Sequence, residues 1–270
     1  MNLREITPLI LTYNEAPNLR RALDSIGWAR KVIVIDSGSD DETQSICSEF
    51  PQVSVISRPF DNHTDQWNFG LDQVQTVWVL TMDADYQCPT DFEKEIVQLT
   101  NSQQAYSIPF RYSVFGKILR GTLYPRRVAL FEKQSFRYVR DGHTQLLDIS
   151  NKAIGKLQSA FIHDDRKSLA RWLKSQQAYA ELECKKLCSA KKGSHGWKDR
   201  TRTWIVVAPV LTFVYCLIYK RLLLDGRAGL LYTLQRTYAE LLLSLHIATA
   251  KFPNVTSDGI EAKNEPPHVT

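Results

Sequence analysis

Four short apolar segments in the first third of the chain alternate with helix-like segments, and this alternation constrains the fold more than any other feature. The apolar segments are residues 6–11, 31–35, 53–56 and 77–81, with helix-like stretches between them at 18–26, 43–50 and 65–74. Such short connections between strand and helix are typical of a parallel sheet wound with helices. Pro8 fits the first strand only near its start or at a sheet edge. We therefore predict an α/β, Rossmann-like fold with a mostly parallel sheet flanked by helices.

Polar residues follow three of the predicted strands. Thr12 and Glu15 follow the first strand, Asp36 follows the second, and Asp83 and Asp85 follow the fourth. Because the carboxyl ends of parallel strands face the crevice where α/β proteins bind ligands, these side chains are candidate site residues. Two carboxylates one residue apart can share a divalent ion and the diphosphate oxygens it carries. The Asp-x-Asp pattern alone is weak, but its place at a strand end strengthens it.

Composition limits the class of protein. The 270 residues are 43% hydrophobic, which allows one large core plus an appendage. The net charge of +5 is too diffuse to indicate a nucleic-acid partner, although it suits phosphates or an anionic membrane face. The five cysteines form no C-x-x-C pair, which argues against zinc and favours a reducing compartment. The first residues lack an apolar run behind a basic start, so we expect no signal peptide.

The regular alternation of strand-like and helix-like segments ends after residue 104. Residues 106–110 and 128–131 are predicted strands, residues 168–190 an amphipathic helix, residues 191–202 a basic linker and residues 203–250 an apolar helical region. We predict one domain over residues 1–167, which carries the candidate site residues, a helical, membrane-associating region over 168–251 and a disordered tail over 252–270.

The apolar C-terminal region contains a charge-free run of 16 residues, from Trp204 to Tyr219. A membrane span needs about 20 residues, and Pro209 interrupts this run. Its aromatic residues and the following Lys220 and Arg221 are typical of interfacial anchoring. We predict helices that lie on the cytoplasmic face of the inner (plasma) membrane. A spanning segment and a soluble helical appendage are the alternatives.

Three motifs occur in an order that resembles family 2 glycosyltransferases of the GT-A fold. They are Ile-Leu-Thr-Tyr-Asn-Glu at 10–15, Val-Ile-Asp-Ser-Gly-Ser-Asp-Asp-Glu-Thr at 34–43 and Asp-Ala-Asp at 83–85. Gln-Trp-Asn-Phe-Gly-Leu at 66–71 and Leu-Asp-Gly-Arg-Ala-Gly-Leu at 224–230 resemble the branch related to bacterial lipopolysaccharide core glucosyltransferases. The resemblance covers residues 5–245. It implies inverting transfer of a sugar, expected to be a hexose, from a UDP-sugar to a lipopolysaccharide, lipid-linked or other cell-envelope glycan acceptor.

The resemblance also implies roles for the donor-side residues. It gives Asp36 a nucleoside-binding role, since carboxylates accept hydrogen bonds from uracil N–H and ribose hydroxyl groups. Thr12 and Glu15 would line the same pocket. The alternatives are a turn-forming acid for Asp36 and a solvated loop acid for Glu15.

The metal site is the second implication. Asp85, assisted by Asp83, would bind Mg²⁺ or Mn²⁺, which stabilises the charge that accumulates on the leaving diphosphate. A late histidine completes the ligand set in several GT-A enzymes, so His163 is a candidate ligand. The alternative is that its neighbourhood is only an acidic helix start at Asp164 and Asp165. The family branch often has a further acid where this chain has Tyr86.

The catalytic base is predicted within Arg-Asp-Gly-His at 140–143. Asp141 is the first choice, because the glycine after it permits close substrate approach and inverting transfer needs a single base. An Asp-Gly turn is the alternative. His143 would bind phosphate or replace Asp141 as base. The branch often has Glu after this histidine, whereas this chain has Thr144, which leaves the base open. Four arginines are candidates to hold a phosphorylated acceptor or simply to form a solvated face: Arg120, Arg126, Arg127 and Arg140.

Two other functions fit parts of the pattern. A nucleotidyltransferase has a similar sheet and acid pair, but its Gly-rich, Lys-containing phosphate loop is replaced here by Thr-Tyr-Asn-Glu at 12–15. A catalytically inactive nucleotide-sugar-binding membrane module is the second alternative. A donor hydrolysis assay distinguishes that module from an enzyme.

Overall fold

A seven-stranded sheet forms the centre of the molecule. The computed structural model describes residues 1–100, 102–141, 144–149, 152–189 and 207–251. Its strands are β1 (Ile6–Thr12), β2 (Val32–Asp36), β3 (Val53–Ser57), β4 (Trp78–Asp83), β5 (Tyr86–Gln87), β6 (Ala105–Ile108), β7 (Phe110–Val114), β8 (Lys117–Ile118), β9 (Arg127–Glu132), β10 (Tyr138–Asp141), β11 (Thr144–Leu147), β12 (Ile154–Lys156) and β13 (Phe161–His163). The central sheet has the order β12-β6-β9-β4-β1-β2-β3, and of these described strands β9 alone runs antiparallel to its neighbours. The predicted mostly parallel sheet is confirmed.

Helices cover both faces of this sheet and form the C-terminal region. They are α1 (Ala16–Asp24), α2 (Thr43–Ser48), α3 (His63–Gln73), α4 (Phe92–Gln98), α5 (Leu169–Ser189), α6 (Val207–Val214) and α7 (Arg227–Lys251). A π-helical turn (Tyr215–Tyr219) and a 3₁₀ turn (Leu222–Asp225) connect α6 to α7. The predicted linker at 191–202 and the predicted tail at 252–270 lie outside the described residues.

Both faces of the sheet are buried, because the central strands are apolar on both sides. A different helix packs on each face. Helix α1 contributes Leu19 and Leu23 to the core on one face. Helix α3 contributes Trp67 and Leu71 on the other face, where Gly70 lets the helix approach β1 so closely that a Cβ there would lie 2.8 Å from Leu9. Strands that are buried on both faces are expected to be continuous apolar runs, as β2 is from Val32 to Ile35.

Pro8 lies in a central strand, where its missing N–H is tolerated for a specific reason. Strand β1 pairs with β4 from Ile6 onward, but with β2 only from Leu9 onward. At Pro8 the strand is therefore paired on one side only. Pro8 therefore lies near the strand start, which is one of the two predicted positions, and not at an edge of the sheet.

A second, four-stranded sheet with the order β5-β13-β7-β8 brings distant residues to the end of β4. The strand predicted over 106–110 is in fact divided at Pro109, since proline cannot donate to the ladder. Strand β6 stays in the central sheet, while β7 leaves it and pairs with β13. Strand β13 also pairs with β5, which places His163 opposite Tyr86, next to the Asp-Ala-Asp segment.

The C-terminal helices pack on one another and, through Leu222 and Tyr232, on Leu119 after β8. Ala180 and Cys184 of α5 pack with Leu243 and Ile247 of α7. Across the described residues, every helix is too short or too polar to span a bilayer.

Candidate active site

Asp36 is fully buried at the end of β2 and organises the turn after it. Its Oδ1 accepts hydrogen bonds from Thr12 Oγ1 at 3.0 Å and Ser39 Oγ at 2.5 Å. Its Oδ2 accepts from the Ser39 backbone N–H at 3.0 Å and from Gln44 Nε2 at 2.9 Å. Burial alone would raise the pKa of Asp36, but these donors outweigh it and lower the pKa below its usual value. The carboxylate therefore has the partners of a turn-organising acid, and its nucleoside role stays a prediction.

Glu15 forms a buried ion pair with a residue far along the chain. Its Oε1 lies 2.8 Å from Lys167 Nζ, and its Oε2 accepts from Asn18 Nδ2 at 3.0 Å. The Lys167 ammonium also lies 3.7 Å from Asp165 and 4.0 Å from Asp85. Three carboxylates thus surround one cation whose side chain is only 17% exposed. Glu15 is not a solvated loop acid, since its side chain is 13% exposed.

Asp85 and His163 are in direct contact. The Asp85 Oδ2 atom lies 3.1 Å from His163 Nε2. The backbone supports this geometry, because the Asp164 N–H donates to the Asp85 carbonyl at 3.1 Å. Asp85 Oδ1 and His163 Nδ1 are both buried, and neither has a hydrogen-bond partner among the described residues. The structure therefore brings together two of the three predicted metal ligands and leaves one unsatisfied polar atom on each.

The pKa values of the charged residues around Asp85 move in directions set by burial and by neighbouring charges. Burial would raise the pKa of Asp85, but His163 and Lys167 hold it below its usual value. Burial raises the pKa of Glu15 more than Lys167 lowers it. Burial would lower the pKa of Lys167, yet Asp85, Glu15 and Asp165 raise it above its usual value. Lys167 is accordingly a permanent cation at this site.

Asp83 lies beside a cavity of about 350 Å³ at the end of β4. Its walls are mostly apolar and aromatic, and the residues that line it include Trp67, Tyr86, Phe110, Arg126, Arg127, Tyr138, Leu146, Leu147 and Ile149. A pocket of this size and lining is suited to a small organic ligand such as a sugar. Asp83 thus lines a ligand-sized pocket, whereas Asp85 contacts His163.

The four candidate arginines have different environments. The Arg120 Nε lies 3.3 Å from Asp225, and Arg140 pairs with Asp65 at 2.8 Å. Arg126 lines the cavity but also donates to the carbonyls of Ser107 and Leu157, each at 2.6 Å. The Arg127 guanidinium lies 4.7 Å from the centre of the Tyr124 ring and lines the same cavity as Asp83. Arg127 is therefore the arginine best placed to meet a ligand there.

The predicted catalytic base lies at the tip of the β10–β11 hairpin. The backbone of Asp141 pairs with Thr144, which makes it the last described residue of β10. The Asp141 side chain and all of His143 lie outside the described residues. Tyr138, Leu146 and Leu147 from the same hairpin line the cavity with Asp83. The hairpin therefore borders the cavity, and the choice between Asp141 and His143 stays a prediction.

The predicted metal site fits the residues in part. Asp85 Oδ1 is buried and has no hydrogen-bond partner among the described residues, so it is available as a ligand atom for a cation. Across the described residues, however, no three His, Cys, Asp or Glu side chains form a group that would hold a metal ion. The set of Asp83, Asp85 and His163 is thus not preformed, because Asp83 lines the cavity and Asp85 pairs with His163. That the three share an ion stays a prediction.

Lys167 and Arg171 also belong to the site, although no sequence pattern indicates them. The Arg171 guanidinium donates to the carbonyl oxygens of Asn14 and Tyr13, which fixes the loop that carries Glu15. Lys167 precedes α5 and Arg171 lies in it. Both follow the loop that they contact by about 150 residues. The acidic and basic run at 163–167 was the available signal, but no local pattern identifies the partner of each charge.

The fold is that of the GT-A glycosyltransferases. A solved structure with the same fold is the mannosyltransferase PcManGT from Pyrobaculum calidifontis in complex with GDP-Man and Mn²⁺. It is 15% identical to this chain, has a TM-score of 0.53, and the match covers 93% of this chain and 88% of that one. Residues 9–164 match the Glycosyl transferase family 2, and the chain belongs to this family.

Curated relatives are glycosyltransferases as well. An uncharacterized glycosyltransferase of Rickettsia bellii is 27% identical over 203 residues, 68% of each chain. A second, from Rickettsia felis, is 30% identical over 135 residues, so that the match spans about half of that protein (46%). The lipopolysaccharide core biosynthesis glycosyltransferase LpsC of Rhizobium meliloti is 24% identical over 84 residues, 30% of this chain and 31% of LpsC. The family match favours sugar transfer over the nucleotidyltransferase alternative.

Proposed function

We propose that this chain transfers a sugar, expected to be a hexose, from a UDP-sugar to a glycan or glycolipid acceptor of the cell envelope, with inversion at the anomeric carbon. One observation carries the proposal. Four charged or polar side chains meet at the carboxyl end of the parallel sheet. Asp85 lies 3.1 Å from His163 and 4.0 Å from Lys167, and Lys167 lies 2.8 Å from Glu15. The cavity beside Asp83 would take the second substrate. The lipopolysaccharide class of acceptor is supported by the distant relative LpsC.

The donor would occupy the side of the site formed by the ends of β1 and β2. Thr12, Glu15 and Asp36 would line the nucleoside pocket, and the diphosphate would lie towards Asp85. Asp85, with Asp83 and His163, would hold a divalent ion, Mg²⁺ or Mn²⁺. The mannosyltransferase PcManGT, which shares the fold, forms a complex with GDP-Man and Mn²⁺. Bound in this chain, the ion would neutralise the charge that develops on the leaving diphosphate.

The acceptor would enter from the cavity beside Asp83. In a single displacement its hydroxyl oxygen attacks the anomeric carbon, the bond from that carbon to the diphosphate breaks, and a base takes the hydroxyl proton. Asp141 is proposed as this base, with His143 as the alternative, since the β10–β11 hairpin borders the cavity. The products are the glycosylated acceptor and UDP.

A panel of labelled nucleotide sugars, incubated with the full-length protein and envelope membranes, tests the proposal. Transfer of label from a UDP-sugar to a lipid-extractable or polysaccharide product is the expected result. Labelled donor that is bound but neither transferred nor hydrolysed would support the inactive binding module instead. Transfer of a nucleotidyl group rather than a sugar would overturn the proposal.

Lys167 is expected to support donor binding, because its ammonium holds Glu15 of the proposed nucleoside pocket and Asp85 of the proposed ion site. Replacing it by methionine removes the ammonium that lies among Glu15, Asp85 and Asp165 while it keeps the aliphatic stem. Hydrogen bonds to charged groups contribute about 1.5–3 kcal/mol, so we expect the affinity for UDP to fall by roughly 10- to 100-fold in calorimetric titration. Lys174→Met is the matched control, since Lys174 is an exposed residue on α5. An unchanged UDP affinity in a folded Lys167→Met protein would rule out this role.

The C-terminal helices are proposed to lie on the cytoplasmic face of the membrane. The turns between α6 and α7 expose large apolar side chains: Ile218 at 70%, Tyr219 at 72%, Leu223 at 67% and Leu224 at 61%. Arg221 and Arg227, which flank these leucines, are also exposed. Exposed apolar side chains rimmed by basic residues are typical of surfaces that dock on anionic lipid. We propose this surface, residues 218–227, as the membrane contact.

Replacing Leu223 and Leu224 by serine should weaken membrane binding without affecting the fold. Burial of one leucine contributes about 1.5–3 kcal/mol, so even partial insertion of two should make a difference of at least about tenfold in vesicle affinity. Sedimentation with anionic phospholipid vesicles measures it. Val97→Ser is the control, because Val97 is 53% exposed on α4. Equal sedimentation of the double variant and the wild type would contradict the proposed surface.

A further inference from the structure

Helix α7 reaches the catalytic region through one buried tyrosine. Tyr232 is 1% exposed, and its ring centre lies 4.9 Å from that of Tyr112 in β7. Its hydroxyl accepts a hydrogen bond from the Leu123 backbone N–H at 2.9 Å and lies 3.1 Å from Thr122 Oγ1. The ring and the hydroxyl therefore fix α7 to two separate parts of the catalytic region.

Tyr112 is also in contact with the histidine of the candidate site. The two ring centres are 4.2 Å apart, and the Tyr112 hydroxyl lies 3.5 Å from His163 Nε2. Two further rings enclose the imidazole: Tyr86 at 5.1 Å and Tyr124 at 5.5 Å. Of these three tyrosines, Tyr112 is the one that packs against Tyr232. A continuous set of ring contacts thus runs from α7 to His163.

Among the described residues, the side-chain polar contacts of His163 are all made through Nε2. A histidine ligand is normally held by a hydrogen bond from its second ring nitrogen. His163 Nδ1 is buried and has no such partner among the described residues. Its Nε2 makes the contact to Asp85 at 3.1 Å, which fixes one atom of the ring but not the ring plane. The neighbouring Tyr112 ring supplies the missing constraint.

The segment before α7 sets the position of that helix. Asp225 is 2% exposed, accepts from the Arg120 backbone N–H at 2.9 Å and pairs with Lys117 and Arg120. Gly226 has φ +62°, which favours glycine. A Cβ on Gly229 would lie 2.0 Å from the Leu222 carbonyl oxygen, so only glycine fits there. The Leu-Asp-Gly-Arg-Ala-Gly-Leu segment at 224–230 is therefore a joint that fixes the start of α7 on the β7–β8 hairpin and the loop after it.

We propose that α7 is part of the active site, with Tyr232 and Tyr112 as positioning residues for His163. Tyr232 holds Tyr112, and Tyr112 holds the imidazole plane so that His163 stays aligned with Asp85. The inference rests on the proposed function only in assigning His163 to the cation and diphosphate side of the site. It goes further in assigning the C-terminal helix a role in donor binding, besides its proposed attachment to the membrane.

Two direct binding measurements test the inference on the full-length protein. Titration of Mn²⁺ followed by electron paramagnetic resonance measures ion binding, and calorimetry with UDP in the presence of Mn²⁺ measures nucleotide binding. Tyr112→Leu and Tyr232→Leu each interrupt the ring contacts. We expect both affinities to fall by about 10- to 100-fold, the range typical of lost support for a ligand. Tyr112→Phe keeps the ring and should restore both affinities to within about threefold of wild type.

Tyr238→Leu is the matched control on the same helix. Tyr238 packs on Trp172 at 5.8 Å and is 41% exposed, so its replacement should leave Mn²⁺ and UDP affinities unchanged. If the wild type binds neither Mn²⁺ nor UDP, the proposed function fails. If the wild type binds both and folded Tyr112→Leu binds them equally well, the positioning role is wrong. Thermal unfolding establishes folding, and where Tyr232→Leu does not fold, the comparison of Tyr112→Leu with Tyr112→Phe decides.

Discussion

Asp85→Ala is expected to lower the rate of sugar transfer by at least about 10²-fold, the scale on which preorganised charge stabilisation is lost. Asp85 is the carboxylate that the structure places at the centre of the charged cluster, with His163 at 3.1 Å and Lys167 at 4.0 Å. Removing it leaves both of these side chains without their shared partner and removes the unpartnered Oδ1 that a divalent ion would require. Saturating UDP-sugar and a titration of Mn²⁺ should not restore the rate.

A second variant separates charge from shape. Asp85→Asn keeps the size of the side chain and a hydrogen bond to His163, so a loss similar to that of Asp85→Ala would show that the charge is what matters. Asp72→Asn is the surface control, because Asp72 is 57% exposed in its pair with Arg137. Undiminished turnover of Asp85→Ala in excess chelator would show that neither this carboxylate nor a bound ion takes part.

Asp141→Asn is expected to reduce transfer by roughly 10²- to 10⁴-fold while it leaves donor binding intact. The substitution keeps the shape of the side chain and removes its basicity. The hairpin that carries Asp141 contributes Tyr138 and Leu146 to the cavity beside Asp83, which is the proposed acceptor position. Steady-state transfer kinetics, together with UDP affinity measured by calorimetry, separate a defect in chemistry from a defect in binding.

His143 is the competing base, and the same assay distinguishes the two residues. His143→Ala should retain most of the activity if Asp141 removes the proton. A crippled His143→Ala enzyme beside a nearly normal Asp141→Asn enzyme would reverse the assignment. Loss of UDP binding in Asp141→Asn would instead mean that the hairpin supports the donor.

Some local features were predictable because their signals are local. The first four strands and the helices between them follow from apolar periodicity, and each predicted boundary lies within a few residues of the observed one. Helix α4 was missed although its signals were present: Phe92 and Ile96 are buried at helical spacing, and Glu93 and Glu95 lie in the first turn. The division of the strand at Pro109 also had a signal, the proline itself.

The partners of the site residues were not predictable in this way. Asp36 and Asp85 both come after apolar strands, so the sequence around each predicts a similar position at a strand end. In the structure, Asp36 is bonded to hydroxyl, amide and backbone donors, whereas Asp85 contacts a histidine 78 residues later. Lys167 meets Glu15 across 152 residues. No periodicity or spacing encodes such a pair, because the second sheet and the start of α5 must first bring β13 and the loop after it to the end of β4.

Local sequence patterns were enough to establish that this chain forms a mostly parallel α/β sheet with acids at its carboxyl edge, because strand and helix patterns and strand-end positions are local properties. The motif order was enough to recognise the family. Packing between distant segments decided that Asp83 and Asp85 have different environments. It also placed Lys167 among three carboxylates. In the same way, it brought Tyr232 of the C-terminal helix against Tyr112, which contacts His163. The physical reason is that charge pairing and ring packing depend on distances between segments, and those distances exist only once the two sheets and the C-terminal helices have packed together.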